Sequence, residues 1–80
     1  MKKIEYTKHA EEKIKERNID KINIKKALAN PDKSLGSING TKIIHKINNK
    51  RLLRVIYRDE ENRYLVITAY YTKMERYEVK

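Results

Sequence analysis

The spacing of apolar residues changes period once along this chain, close to residue 40. Before that point the spacing is helical: Ala10, Ile14 and Arg17 follow i, i+4, i+7, and Ile24, Ala27 and Leu28 cluster in the same way. A short strand, Lys3 to Tyr6, precedes Thr7, whose hydroxyl suits the N-cap of a first helix running from Lys8 to about Arg17. Asn18 then supplies a left-handed stop. Asp20 caps a second helix, with Ile19 and Ile24 at the two positions of a hydrophobic staple. That helix ends at Asn30-Pro31, because the residue before a proline is driven out of helical space.

Residues 31–41 are turn-rich, with Gly36 and Asn39-Gly40 and a short strand around Ser34 to Ile38. Beyond them the pattern alternates. Thr41–Ile47, Arg51–Arg58 and Tyr64–Tyr71 read as three strands joined by Asn48-Asn49-Lys50 and residues 59–63, loops short enough to make antiparallel hairpins. Thr72 to Lys80 is a final short strand or a tail. Residues 1–80 thus form one α+β domain. Parity assigns Ile43, Ile47, Leu53, Val55, Tyr57, Leu65, Ile67 and Ala69 to a core face under the helices. It assigns Lys42, Lys46, Arg54, Arg58, Tyr64, Thr68 and Tyr70 to the opposite face, together with Ile44, Leu52, Ile56 and Val66.

Charge sharpens that second face. The formal net charge is +9, and residues 1–58 hold 16 Lys/Arg against 6 Asp/Glu. From Lys42 to Arg58 there are six basic residues, one His and no acid, the footprint of a polyanion partner. A face of cations, tyrosines and hydroxyls suits RNA: cations neutralise phosphates, rings stack on bases and hydroxyls reach ribose. The competing explanation is a lysine-rich solubilising surface whose aliphatics pack on the C-terminal segment. The absence of cysteine excludes disulfides, thiolate metal sites and Cys nucleophiles, and fits a reducing, cytoplasmic compartment. No apolar run reaches membrane-spanning length and no signal-peptide apolar region follows Met1-Lys2-Lys3, so no membrane partner is expected.

The chemistry on offer is narrow. His9 and His45 are the only histidines, and neither has a ligand-spaced partner, so no metal and no cofactor is expected. Metal-independent RNA cleavage needs only a base for the ribose 2′-OH, cations around the phosphorane and an acid for the departing 5′-oxygen. His, Lys, Arg and Tyr suffice. His9, in the first turn of helix one, precedes Lys13 and Arg17 on roughly one stripe that can hold a phosphate; capping by His9 and a salt bridge from Arg17 are the structural alternatives. His45, between Ile43 and Ile47 on the core face, reads as a structural histidine.

Five segments complete the picture: Tyr6-Thr7-Lys8-His9-Ala10, Glu16-Arg17-Asn18-Ile19, Ala27-Leu28 with Asn30-Pro31-Asp32, Leu53-Arg54-Val55-Ile56-Tyr57, and Val66-Ile67-Thr68-Ala69-Tyr70. In that order and spacing they resemble the DUF4258 family over nearly the whole chain. The family is similar in size and layout to BrnT-like and RelE/ParE-like toxins. The resemblance implies two N-terminal helices packed on a three- to four-stranded antiparallel, RelE-like sheet. It also implies a toxin of a toxin–antitoxin pair or a related RNA-cleaving domain. The family's motif positions fall here on His9, Arg17, Thr68 and Tyr70.

The expectation is therefore a small, metal-independent endoribonuclease acting on mRNA or tRNA. His9, Arg17, Arg54 and Tyr70 are the catalytic candidates, and Lys13, Lys42, Lys46, Arg58, Tyr64 and Thr68 the RNA-binding ones. Partners would be RNA and a cognate antitoxin, with a homodimer among the assemblies open to it. The rival readings are a non-catalytic module that binds nucleic acid or an acidic antitoxin through the same surface, and a toxin that poisons a protein target.

Overall fold

Local signals set both helix starts. Thr7 Oγ1 accepts the Ala10 amide at 3.0 Å at the head of α1 (Lys8–Glu16), and Asp20 Oδ1 accepts the Ile22 amide at 2.9 Å at the head of α2 (Lys21–Ala29). Between them Asn18 adopts φ 55°, and the amides of Ile19 and Asn18 return to the carbonyls of Ile14 (2.9 Å) and Lys15 (3.2 Å). This is a Schellman stop, and its two apolar partners, Ile14 and Ile19, both enter the core. The structure, a computed structural model, describes residues 2–73. No helix among them is long and apolar enough to cross a membrane.

The strands are β1 (Lys3–Tyr6), β2 (Lys33–Ile38), β3 (Thr41–Asn48), β4 (Arg51–Asp59) and β5 (Arg63–Lys73), in the order β1-β5-β4-β3-β2. They correct the expected architecture. The sheet is five-stranded and mixed, because β1 runs parallel to β5 from Lys3↔Arg63 to Tyr6↔Val66, while the other pairs are antiparallel. The alternation of Ile4 and Tyr6 with Lys3 and Glu5 lets β1 extend the helix-covered face at one edge. At the other edge Asn39 (φ 56°) and Gly40 (φ 79°) close a two-residue hairpin with positive φ at both positions, which turns residues 33–38 into a full strand. Thr72 and Lys73 finish β5; the rest of the expected C-terminal strand or tail lies outside the described residues.

Both helices pack on one side of the sheet. Ala10, Ile14, Ile19, Ile24 and Ala27 meet Ile44, Leu53, Val55, Tyr57, Val66 and Ala69, with Ile4, Tyr6, Leu28, Tyr64 and Tyr71 around them. The β4 assignment from parity holds, but two others need correction. In β3 the helix-facing residue is Ile44, not Ile43 or Ile47, because the β3–β4 turn contains two residues rather than three: Asn48 pairs with Arg51, and Asn49 takes φ 61°. In β5 the register slips between Ile56 and Tyr57, which face Thr68 and Val66, leaving Ile67 as an extra residue. This bulge places Val66 and Ala69 on the same face although they are three apart. Leu65 and Ile67 leave the core, and Val66 enters it.

Leu53 is fully buried and Ile47 is 46% exposed. Chemical denaturation of Leu53→Ala is expected to show a loss of about 2–5 kcal/mol, and of Ile47→Ala a loss under about 1 kcal/mol. Similar losses for the two would contradict this β3–β4 register.

Candidate nucleic-acid interface

The register that buries Ile44, Val55 and Ala69 sends the intervening residues to the opposite, open face. It is open in that neither helix covers it, although His45 (3% exposed) and Leu52 (6%) are themselves buried there. There four side chains stand directly abreast: Lys33 on β2, His45 on β3, Arg54 on β4 and Tyr70 on β5, each the cross-strand partner of the next. Such neighbours have Cβ atoms roughly 4.5–5.5 Å apart, so their side chains interact. Arg54 Nη1 lies 3.5 Å from His45 Nε2. A parallel row, Leu35, Ile43, Ile56 and Thr68, runs beside it. A cationic, aromatic row is thus bordered by an apolar one.

Arg17, at the C-cap of α1, extends the row past the edge of β5. β1 pairs with β5 only as far as Val66, so the carbonyls beyond it need other donors. The Thr7 amide donates to Val66 O (3.0 Å), Thr7 Oγ1 to Ile67 O (3.4 Å) and Arg17 Nη1 to Ala69 O (2.9 Å). Arg17 also reaches Thr68 Oγ1 at 3.4 Å and lies 5.8 Å from the Tyr70 ring centroid, a cation–π contact. The two caps of α1 thus bracket the bulge, and one of them delivers a guanidinium to the row.

His45 is 3% exposed, and its imidazole is held below the ordinary value by burial first, then by the charges of Arg54 and Lys33. It is therefore neutral at pH 7. A guanidinium can only donate, so the nitrogen facing Arg54 is assigned as the bare one and the proton sits on Nδ1. A neutral imidazole between two cations is a proton acceptor that an incoming phosphate strengthens, because the anion offsets the charges that weaken its basicity.

The residues expected to form one surface are divided. Arg54, Arg58, Thr68 and Tyr70 lie on the open face, with Arg58 3.9 Å from Glu60. Lys42, Lys46 and Tyr64 turn to the helix side. There Lys42 donates to Asp59 at 3.0 Å, and Lys2 binds the same carboxylate; the hydrogen bonds from Lys2 and Lys42 hold the Asp59 carboxyl below its usual range. Lys46 donates to the Asn30 carbonyl at the end of α2 (2.9 Å) and pairs with Asp32 (3.8 Å). Tyr64 packs edge-on against Tyr57, with centroids 5.6 Å apart. Lys13 pairs with Glu16. His9 is exposed in the first turn of α1, about 12 Å along the helix axis from Arg17 at eight residues' separation. Of the four catalytic candidates, the fold brings Arg17, Arg54 and Tyr70 together and leaves His9 apart.

Among the described residues no three His, Asp or Glu side chains group as metal ligands. The family of domains of unknown function DUF4258 matches residues 6–71. The chain belongs to the DUF4258 family. No curated protein and no solved structure matches it. The DUF4258 motif segments named above acquire roles from the geometry. Thr7 caps α1 and binds the bulge, Ala10 is fully buried, Arg17 clamps Ala69, and Thr68 and Tyr70 stand on the open face. His45 and Lys33 are the residues that sequence reasoning missed. A two-residue reading of the β3–β4 turn would have aligned His45 with Arg54.

The His45 environment has a pH signature. Its folded value is depressed below 6.5, so the unfolded chain binds the extra proton as pH falls past that value. Stability is unpenalised above about pH 6.5 and declines below it toward the folded value. Urea denaturation between about pH 7 and 5.5 is expected to show this slope, and His45→Gln to remove it. Glu5 and Asp59, whose ordinary values are 4.5 and 3.8, act only at lower pH. An unchanged slope in His45→Gln would assign it to another group.

Proposed function

We propose that this DUF4258 domain is a small endoribonuclease of the toxin type, partnered by an antitoxin protein, which binds single-stranded RNA on the open face and cleaves it without a metal ion. The observation that carries the reading is the row Lys33–His45–Arg54–Tyr70, with Arg17 against Tyr70. In this mechanism the incoming phosphate draws Arg54 away from His45 Nε2, the freed nitrogen takes the proton of a ribose 2′-OH, and the 2′-oxygen attacks the adjacent phosphorus. Arg54 and Arg17 stabilise the charge on the phosphorane. The bond from phosphorus to the 5′-oxygen breaks as the Tyr70 hydroxyl protonates the leaving group. The products are a 2′,3′-cyclic phosphate and a 5′-hydroxyl. Neutral His45 supports the base role, and the cations supply the electrostatic stabilisation that a metal provides elsewhere.

One observation favours a second reading, a non-catalytic module that binds nucleic acid or an antitoxin: His45 is only 3% exposed, which restricts a ribose hydroxyl from reaching it. The two readings separate experimentally. Purified protein in EDTA is expected to cut single-stranded RNA and leave cyclic phosphate ends. His45→Gln and Tyr70→Phe should each slow cleavage by about 10²–10⁴-fold, the usual worth of a positioned acid or base. RNA affinity should be retained and the circular dichroism spectrum unchanged. Salt-sensitive RNA binding without cleavage would select the binding module, and a fully active His45→Gln would remove His45 from the mechanism.

A further inference from the structure

On the helix side of the sheet, a cleft of about 490 Å³ opens between β1 and the start of α2. Its floor is apolar: Ile4 and Tyr6 on β1 and Ile22 on α2. Its rim carries four lysines, Lys2, Lys3, Lys21 and Lys25. Lys2 is held by Asp59, and Lys21 pairs with Glu11 at 2.7 Å. Lys3 and Lys25 form no ion pair among the described residues. Ile22 is 60% exposed, although α2 buries Ile24 and Ala27 two and five positions on.

We infer that this cleft is a docking site for an acidic protein segment that carries apolar anchor side chains. The rim is cationic, so the occupant must bring carboxylates or phosphates. The floor decides between them. A nucleic acid would set solvated phosphates against Ile4 and Ile22 and would need an open aromatic face for its bases. Tyr6 is half-buried, and Lys21 already stands 4.4 Å from its ring centroid. An acidic amphipathic segment satisfies both halves of the site: its apolar side chains cover Ile22 and Ile4 while its carboxylates reach Lys3 and Lys25. Lys21 can exchange Glu11 for a carboxylate of the partner. The cleft lies across the sheet from the His45 row, so the inference is independent of RNA cleavage.

The test uses the full chain and a fluorescein-labelled synthetic peptide with Glu and Leu in helical spacing, followed by anisotropy. The peptide is expected to bind, and an all-Glu peptide of equal length to bind far more weakly. Ile22→Asn and the double variant Lys3→Glu/Lys25→Glu should each weaken peptide binding about tenfold or more, the scale of one buried aliphatic anchor or its charge partners. Ile22→Leu should retain binding, and Lys50→Glu, at the β3–β4 turn and outside the cleft lining, should leave it unchanged. All these variants should retain RNA cleavage if the wild type has it. Equal affinity for the all-Glu peptide, equal loss in Lys50→Glu, or no peptide binding would each overturn the inference. Displacement of the peptide by single-stranded RNA would assign the cleft to nucleic acid instead.

Discussion

The bulge at Ile67 sets the face of every residue that follows it in β5. Without the extra residue, a strand that buries Val66 would bury Thr68 and Tyr70 as well and would turn Ala69 outward. With it, Val66 and Ala69 both meet the helices, and Thr68 and Tyr70 stand beside Ile56 and Arg54. A bulge at a sheet edge leaves backbone groups without ladder partners, and those groups must be satisfied. Here α1 does so from both ends, through Thr7 at Val66 and Ile67 and through Arg17 at Ala69. The helix caps, the bulge and the position of Tyr70 are therefore one coupled arrangement.

That arrangement sorts the charge. In sequence the segment from Lys42 to Arg58 carries cations and no acid, but the sheet divides it between two faces. Cations on the helix side meet acids from elsewhere in the chain: Lys42 and Lys2 on Asp59, and Lys46 on Asp32. Such exposed pairs contribute little stability each, yet they neutralise the potential there. On the open face burial first, and then the charges of Arg54 and Lys33, depress the basicity of His45, so two cations stand close to the imidazole. An anion binding there relieves that repulsion, which links phosphate binding to proton uptake at His45.

Much of this was legible in the sequence. Thr7, Asp20 and Asn18 announced the helix boundaries because capping and left-handed stops are local chemistry, and Leu53, Val55 and Tyr57 announced the β4 core face by strict alternation. The family resemblance named His9, Arg17, Thr68 and Tyr70; the fold brings Arg17, Thr68 and Tyr70 together and leaves His9 apart. What alternation could not reveal was any place where the period of two breaks. Ile43-Ile44 offers an apolar residue to either face, so only the length of the turn at Asn49-Lys50 decides it, and that decision moved His45 from the core to the open face. The slip at Ile67 lies inside an unbroken apolar run, where no residue marks it. The strand before α1 was visible, but its parallel pairing with β5 depends on contacts some sixty residues apart.

Nuclear magnetic resonance of side chains during an RNA titration tests the central claim, that the open face defined by the bulge is the nucleic-acid surface. Addition of a short single-stranded RNA is expected to shift the ring signals of His45 and Tyr70 and to raise the His45 titration midpoint as phosphate enters between Arg54 and Lys33. The signals of Tyr64 and Tyr57, on the helix side, should stay in place. Shifts confined to Tyr57 and Tyr64, with His45 and Tyr70 unmoved at saturating RNA, would contradict the account.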